Sequence, residues 1–121
     1  MKKPQWETIP YRKSNGEEPV IVFLDSLYPK EKAKVLRSIK LLEEFGMDLK
    51  GPNKEYLEDG IHELRIKLST NIFRIMLFHI QDNKIVLLHG FQKKTQKTPP
   101  REIARAKQYR NDYLKQQRGD E

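Results

Sequence analysis

The stretch IHELRIKLSTNIFRIMLFHIQDNKIVLLHGFQKK, Ile61 to Lys94, decides the fold. It divides into three apolar runs, Ile61–Leu68, Asn71–Ile80 and Lys84–Lys94, each of strand length and rich in β-branched and aromatic residues. Ser69-Thr70 and Asp82-Asn83 separate them and suit tight turns, so the three runs read as consecutive antiparallel strands. A hairpin centred on Asp82-Asn83 places Arg74 opposite Phe91, Met76 opposite His89 and Ile72 opposite Lys93. One centred on Ser69-Thr70 places Arg65 opposite Arg74 and Lys67 opposite Ile72. Because side chains alternate between faces, a bulge or an odd register shift would exchange them.

On this pairing one face collects Leu64, Ile66, Leu68, Phe73, Ile75, Leu77, Val86 and Leu88, and is expected to be the core under the helices. The other collects Glu63, Arg65, Lys67, Arg74, His89, Phe91 and Lys93 among Ile72, Met76, Phe78 and Leu87. Two arginines directly across a ladder repel each other. They need a carboxylate, which Glu63 could supply, or an external anion such as a phosphate. The residue types leave both readings open.

Working outward, WETIPYR (Trp6–Arg12) suits a strand, and SNGEEP (Ser14–Pro19) is turn chemistry with Pro19 placed to open a short helix. A longer helix is expected from Pro29 to Phe45, with Leu36, Ile39 and Leu42 as its stripe, Val35 and Phe45 at the edges, and Gly46 as the stop. MDLKGPNKEYLEDG reads as a loop. A last helix is expected from Pro99 to Leu114, with Thr98 as N-cap and Pro99 in the first turn, and residues 118–121 fray. The order is β-α-α-β-β-β-α in a single domain: an α+β fold with helices on one face of an antiparallel sheet.

The chain has 121 residues and a net charge of +7. Residues 91–118 hold nine Lys and Arg against Glu102 and Asp112, so the whole excess lies there and the rest is neutral. Such a one-sided field suits a polyanionic partner, nucleic acid or an acidic protein. With no cysteine, disulfides, thiol catalysis and Cys-ligated zinc are excluded. No nucleotide-cradling glycine motif occurs, His62, His79 and His89 lack ligand spacing, and no acidic cluster suits a catalytic metal, so neither metal nor cofactor is expected. Neither a signal sequence nor an apolar span is read, which leads to the expectation of a cytoplasmic protein with no membrane association.

Arg65, Arg74, Lys93 and Lys94 suit phosphodiester cleavage without metal. When the 2′-hydroxyl of RNA attacks its own phosphate, negative charge builds on the phosphorane, and fixed guanidinium groups stabilise it. A lysine crowded by cations loses its proton nearer neutral pH. Phe91 offers a surface on which a base can stack. Lys67, His89, Lys97 and Arg101 are the further RNA contacts expected around these groups.

GIHELRIKL (Gly60–Leu68), FRI (Phe73–Ile75), LLHGFQKKTQKTPPREIARA (Leu87–Ala106) and YRNDY (Tyr109–Tyr113) resemble the RelE/ParE superfamily of toxins from toxin–antitoxin pairs, especially its phage-related HigB-like branch. The resemblance implies a ribosome-dependent mRNA endoribonuclease that works in the ribosomal A site. It also implies a HigA-like helix-turn-helix antitoxin as partner, with operator DNA contacted only through that antitoxin. Carried over by position, the arginines of ELR and FRI are Arg65 and Arg74, and the lysines after GF are Lys93 and Lys94. The general acid and base stay open between a lysine and His89. Two other readings stand beside this one: a ParE-like gyrase inhibitor without nuclease activity, and a basic RNA-binding domain.

Overall fold

The computed structural model describes residues 5–49, 53–93 and 97–119. Its elements are β1 (Glu7–Pro10), α1 (Pro19–Asp25), α2 (Pro29–Phe45), β2 (Lys54–Glu58), β3 (Ile61–Leu68), β4 (Asn71–Ile80), β5 (Lys84–Gln92) and α3 (Pro100–Arg118). They form an α+β domain around one five-stranded sheet, in the order β1-β5-β4-β3-β2. Strands β2 to β5 are a run of antiparallel hairpins, while β1 pairs with β5 in parallel and makes the sheet mixed.

The β3–β4 register is the one expected, with Arg65 facing Arg74 and Lys67 facing Ile72 across a two-residue turn at Ser69-Thr70. In the β4–β5 hairpin the expected pairs hold far from the turn, where Met76 faces His89 and Arg74 faces Phe91. Nearer the turn the register is one residue different. Ile80 faces Lys84 across three residues, of which Asp82 and Asn83 take positive φ, and a bulge at Leu88 absorbs the difference. The bulge reverses the facing of β5. Ile85 and Leu87 join the core beneath α1 and α2, and Val86 and Leu88 point to the other side, opposite to the sequence expectation.

The second correction concerns the layers. Helices α1 and α2 cover one face with Val20, Leu24, Val35, Ile39 and Leu42 packed on Leu64, Ile66, Phe73, Ile75 and Leu77. Helix α3 does not join them. Its Ala106 and Tyr113 pack on Met76, Phe78, Val86 and Leu88 from the opposite face, together with Ile61 and Tyr11. A sheet whose central strand is apolar on both sides is covered on both sides, and β4 is buried from Ile72 to Phe78. The α2 stripe is likewise rotated from the expected one: Val35, Ile39 and Leu42 are buried, while Leu36 and Phe45 are about half exposed.

Two glycines fix close approaches. Gly46 ends α2 with a φ of +57°, and a Cβ there would overlap the Trp6 ring at 1.9 Å. Gly90 lies under the Phe23 ring of α1, where a Cβ would come within 2.4 Å. Helix α3 starts at Pro100, one residue later than expected, and runs through Arg118 to a left-handed Gly119. Arg118 is therefore helical, and residues 120–121 lie outside the described ones. Among the described residues no helix is long and apolar enough to cross a membrane.

Candidate functional site

On the α3 face, strands β3, β4 and β5 line up three cross-strand rows: Glu63–Met76–His89, Arg65–Arg74–Phe91, and Lys67–Ile72 followed by Lys93, whose N–H donates to the Ile72 carbonyl at 3.0 Å. Depth changes steadily along the rows. Helix α3 and the segment leading into it bury the first row and half of the second. The third row lies at the rim, where Lys67 is exposed and Lys93 half-buried.

Glu63 is the anion at the centre. It is 0% exposed and lies between two guanidinium groups. Arg65 donates to Glu63 Oε2 from Nε at 3.2 Å and from Nη2 at 3.0 Å. Arg74 brings Nε to 3.5 Å from Glu63 Oε1 and donates from Nη1 to the Lys97 carbonyl at 3.5 Å. The Thr98 hydroxyl donates to Glu63 Oε1 at 2.5 Å. Thr98 thus does not cap α3, as the sequence suggested. Its hydroxyl faces the sheet and fixes the start of the helix to the buried carboxylate. The carboxylate reading of the paired arginines is the one realised, since Glu63 serves both, and Glu55 of β2 takes the other side of Arg65 at 2.9 Å.

The two arginines differ in access. Arg74 is 0% exposed, and burial lowers its pKa while Glu63 opposes that shift. Its guanidinium still carries a charge at any ordinary pH. The Arg65 side chain is 20% exposed and borders a cleft of about 250 Å³ lined also by Glu55, Tyr56, Lys97, Thr98 and Ile103. Arg65 is the member of the pair that an external phosphate can reach.

His89 is 3% exposed, and its Nε2–H donates to the Glu102 carbonyl at 3.1 Å, holding β5 to the first turn of α3. Burial lowers its pKa, so the ring is neutral near pH 7. The structure places it inside, away from the open rim, as a tie and not as a surface contact. Phe91 stacks on it at 5.8 Å between ring centres. Lys97 and Arg101 are exposed at the entrance to α3, on the Arg65 side and in its first turn. Lys94 lies outside the described residues.

The cationic excess of α3 is partly consumed within the fold. Lys107 pairs with Glu58 at 2.6 Å, and Arg110 donates to the Asp59 carbonyl and pairs with its carboxylate at 3.0 Å. Both acids sit at the β2–β3 turn, so two charges expected to face a partner instead dock the helix. Sequence reasoning missed β2, which supplies Glu55, and the role of Thr98. Asp59-Gly60 was the available signal, since this dipeptide favours a two-residue hairpin and both residues take positive φ here.

The family model described as phage derived protein Gp49-like (DUF891) matches residues 22–111, about three quarters of the chain, from within α1 to within α3. The chain belongs to this family. Gp49-like proteins are a phage-derived, toxin-like family related to the RelE/ParE-type toxins. The matched region includes every described residue of the Glu63 cluster and the cationic rim around it. No curated protein matches the chain.

Proposed function

We propose that this Gp49-like chain is the toxin of a toxin–antitoxin pair, of the HigB-like type, and that it cleaves mRNA on the ribosome without metal. The observation that carries the reading is the Arg65 guanidinium, held by two carboxylates at the edge of an open cleft that Lys97 also lines. Family membership supports a toxin role, and the cluster supports a phosphate as its target.

In this reading Arg65 faces the scissile phosphate and stabilises the charge that grows on it. Lys93 and Lys94 bind the phosphate or exchange protons with the attacking and leaving oxygens. Arg74 acts one step removed. By sharing Glu63 it prevents that carboxylate from drawing Arg65 fully inward, which makes it a positioning residue. Phe91, Lys67, Lys97 and Arg101 provide stacking and backbone contacts. A HigA-like helix-turn-helix antitoxin silences the toxin in the cytoplasm and carries its operator contacts. Expression of Arg65→Ala is expected to relieve the growth arrest caused by the parent chain while circular dichroism stays unchanged. Full toxicity of a folded Arg65→Ala protein would reject Arg65 as the phosphate-facing group.

One observation favours a second reading, binding without cleavage. The carboxylates of Glu55 and Glu63 already neutralise Arg65 in part, which weakens it as a transition-state ligand more than as a contact for RNA. A translation block without new mRNA ends would identify that case. Loss of DNA supercoiling activity would instead indicate gyrase inhibition.

A further inference from the structure

A second basic cleft lies at the outer edge of the sheet, on the side of α2. It encloses about 350 Å³, within the range of small-ligand clefts, and is lined by Lys34, Arg37, Ser38 and Leu41 of α2, Asn53, and Leu64 to Lys67 of β3. The helix contributes positions spaced by three and four residues, so one stripe of α2 overhangs the strand. Among the described residues, pairing of β2 with β3 starts at Lys54 opposite Leu64, and the cleft lies where that pairing begins.

Its electrostatics differ from those of the Glu63 cluster. Among the described residues no carboxylate lines it, and Lys34, Arg37 and Lys67 form no ion pair. Some cations elsewhere have carboxylate partners, Lys13 with Glu17, Lys32 with Asp25, Lys107 with Glu58 and Arg110 with Asp59. Lys34 and Arg37 of α2 overhang a concavity with an apolar floor of Leu41 and Leu49, with Lys67 at the strand edge, and these like charges repel one another unless an anion joins them. Arg65 borders both this cleft and the one on the α3 face. A single extended strand could therefore touch both by passing around the edge of β3.

We propose that the Lys34–Arg37–Lys67 cleft seats a backbone phosphate of single-stranded RNA, flanking the nucleotide that meets Arg65 on the other face. The Arg65 part of this path rests on the function proposed above; the cleft itself does not. The cations hold the phosphate, the Asn53 amide can donate to its oxygens, Ser38, whose hydroxyl donates to the Lys34 carbonyl, can accept from the ribose, and the leucine floor accepts the sugar or base edge.

The test uses the full chain without ribosomes. A labelled six-nucleotide RNA is titrated into the protein and into Lys34→Gln/Arg37→Gln, two changes on the surface of α2 that leave the Glu63 cluster intact. The expected result is roughly ten-fold weaker binding by the double variant, with a salt dependence shallower by about 0.7 for each phosphate that is no longer held. Amide shifts on RNA addition should map to Lys34, Arg37, Ser38 and Lys67. Equal affinity and equal salt slope for the two proteins would overturn the proposal. So would inorganic phosphate saturating the same amides as tightly as the RNA, which would make the cleft a seat for free phosphate. Loss of RNA binding in the variant, in a protein that cleaves no message, would uphold the cleft while rejecting the nuclease reading. Cleavage with unchanged binding would do the reverse.

Discussion

At the scale of residues, the fate of two arginines separates stability from function. Removing Arg74 leaves the buried Glu63 beside only one guanidinium, so Arg74→Ala is expected to cost about 3–5 kcal/mol in urea denaturation. Loss of toxicity in that variant would then report unfolding, not chemistry. Arg65→Ala also takes a guanidinium from the buried Glu63, but at the open side of the cluster, and is expected to cost less, about 1–3 kcal/mol, while abolishing the phosphate contact. Comparable destabilisation by the two would contradict the difference in access between them. Histidine supplies a pH test. Burial first, then Lys54 and His79, lower the His62 pKa from 6.5 to about 4. A base with a depressed folded pKa binds its proton more readily when unfolded. Its contribution is therefore complete above pH 6.5 and is lost as pH falls towards 4. Allowing for its partial exposure, this is about 1–2 kcal/mol. The His62→Gln protein should show a correspondingly flatter melting temperature between those pH values, and an unchanged profile would remove His62 from the account.

At the scale of elements, the end of β5 is shaped by what packs on it. Phe23 of α1 occupies the space a side chain at position 90 would need. Gly90→Ala is expected to lower stability by about 1–3 kcal/mol, and Phe23→Leu in the same chain to recover part of the loss; calorimetric melting measures both. The same strand shows what sequence could and could not tell. Register near Arg65 and Arg74 was legible because a two-residue turn fixes pairing and alternation carries it along β3 and β4. The bulge at Leu88 was not, because Val86, Leu87 and Leu88 are all apolar and fit either face. Helix α3 was misplaced for a related reason. Its buried residues, Glu102, Ala106 and Tyr113, make a sparse stripe in a strongly polar helix. Ile72, Met76 and Phe78 on the supposed open face were the better signal that another layer covers it. The paired arginines were legible as a site, but whether Glu63 or a phosphate answered them depended on Thr98 and Glu55, which only the fold brings near.

At the scale of the whole molecule, the +7 charge is not a uniform coat. Lys107 and Arg110 are spent on docking α3 against the β2–β3 turn, Lys97 borders the Arg65 cleft, and Lys34, Arg37 and Lys67, from outside the basic segment, line the edge cleft. An RNA partner bound this way should be released steeply by salt, because each phosphate contact returns counterions. The measurement that bears most directly on the central claim is mapping of mRNA 5′ ends in purified translation, with and without ribosomes, for the parent chain and for folded Arg65→Ala. The account predicts new 5′ ends only with ribosomes present and only from the parent chain. A translation block with no new ends, or equal cleavage by Arg65→Ala, would contradict it.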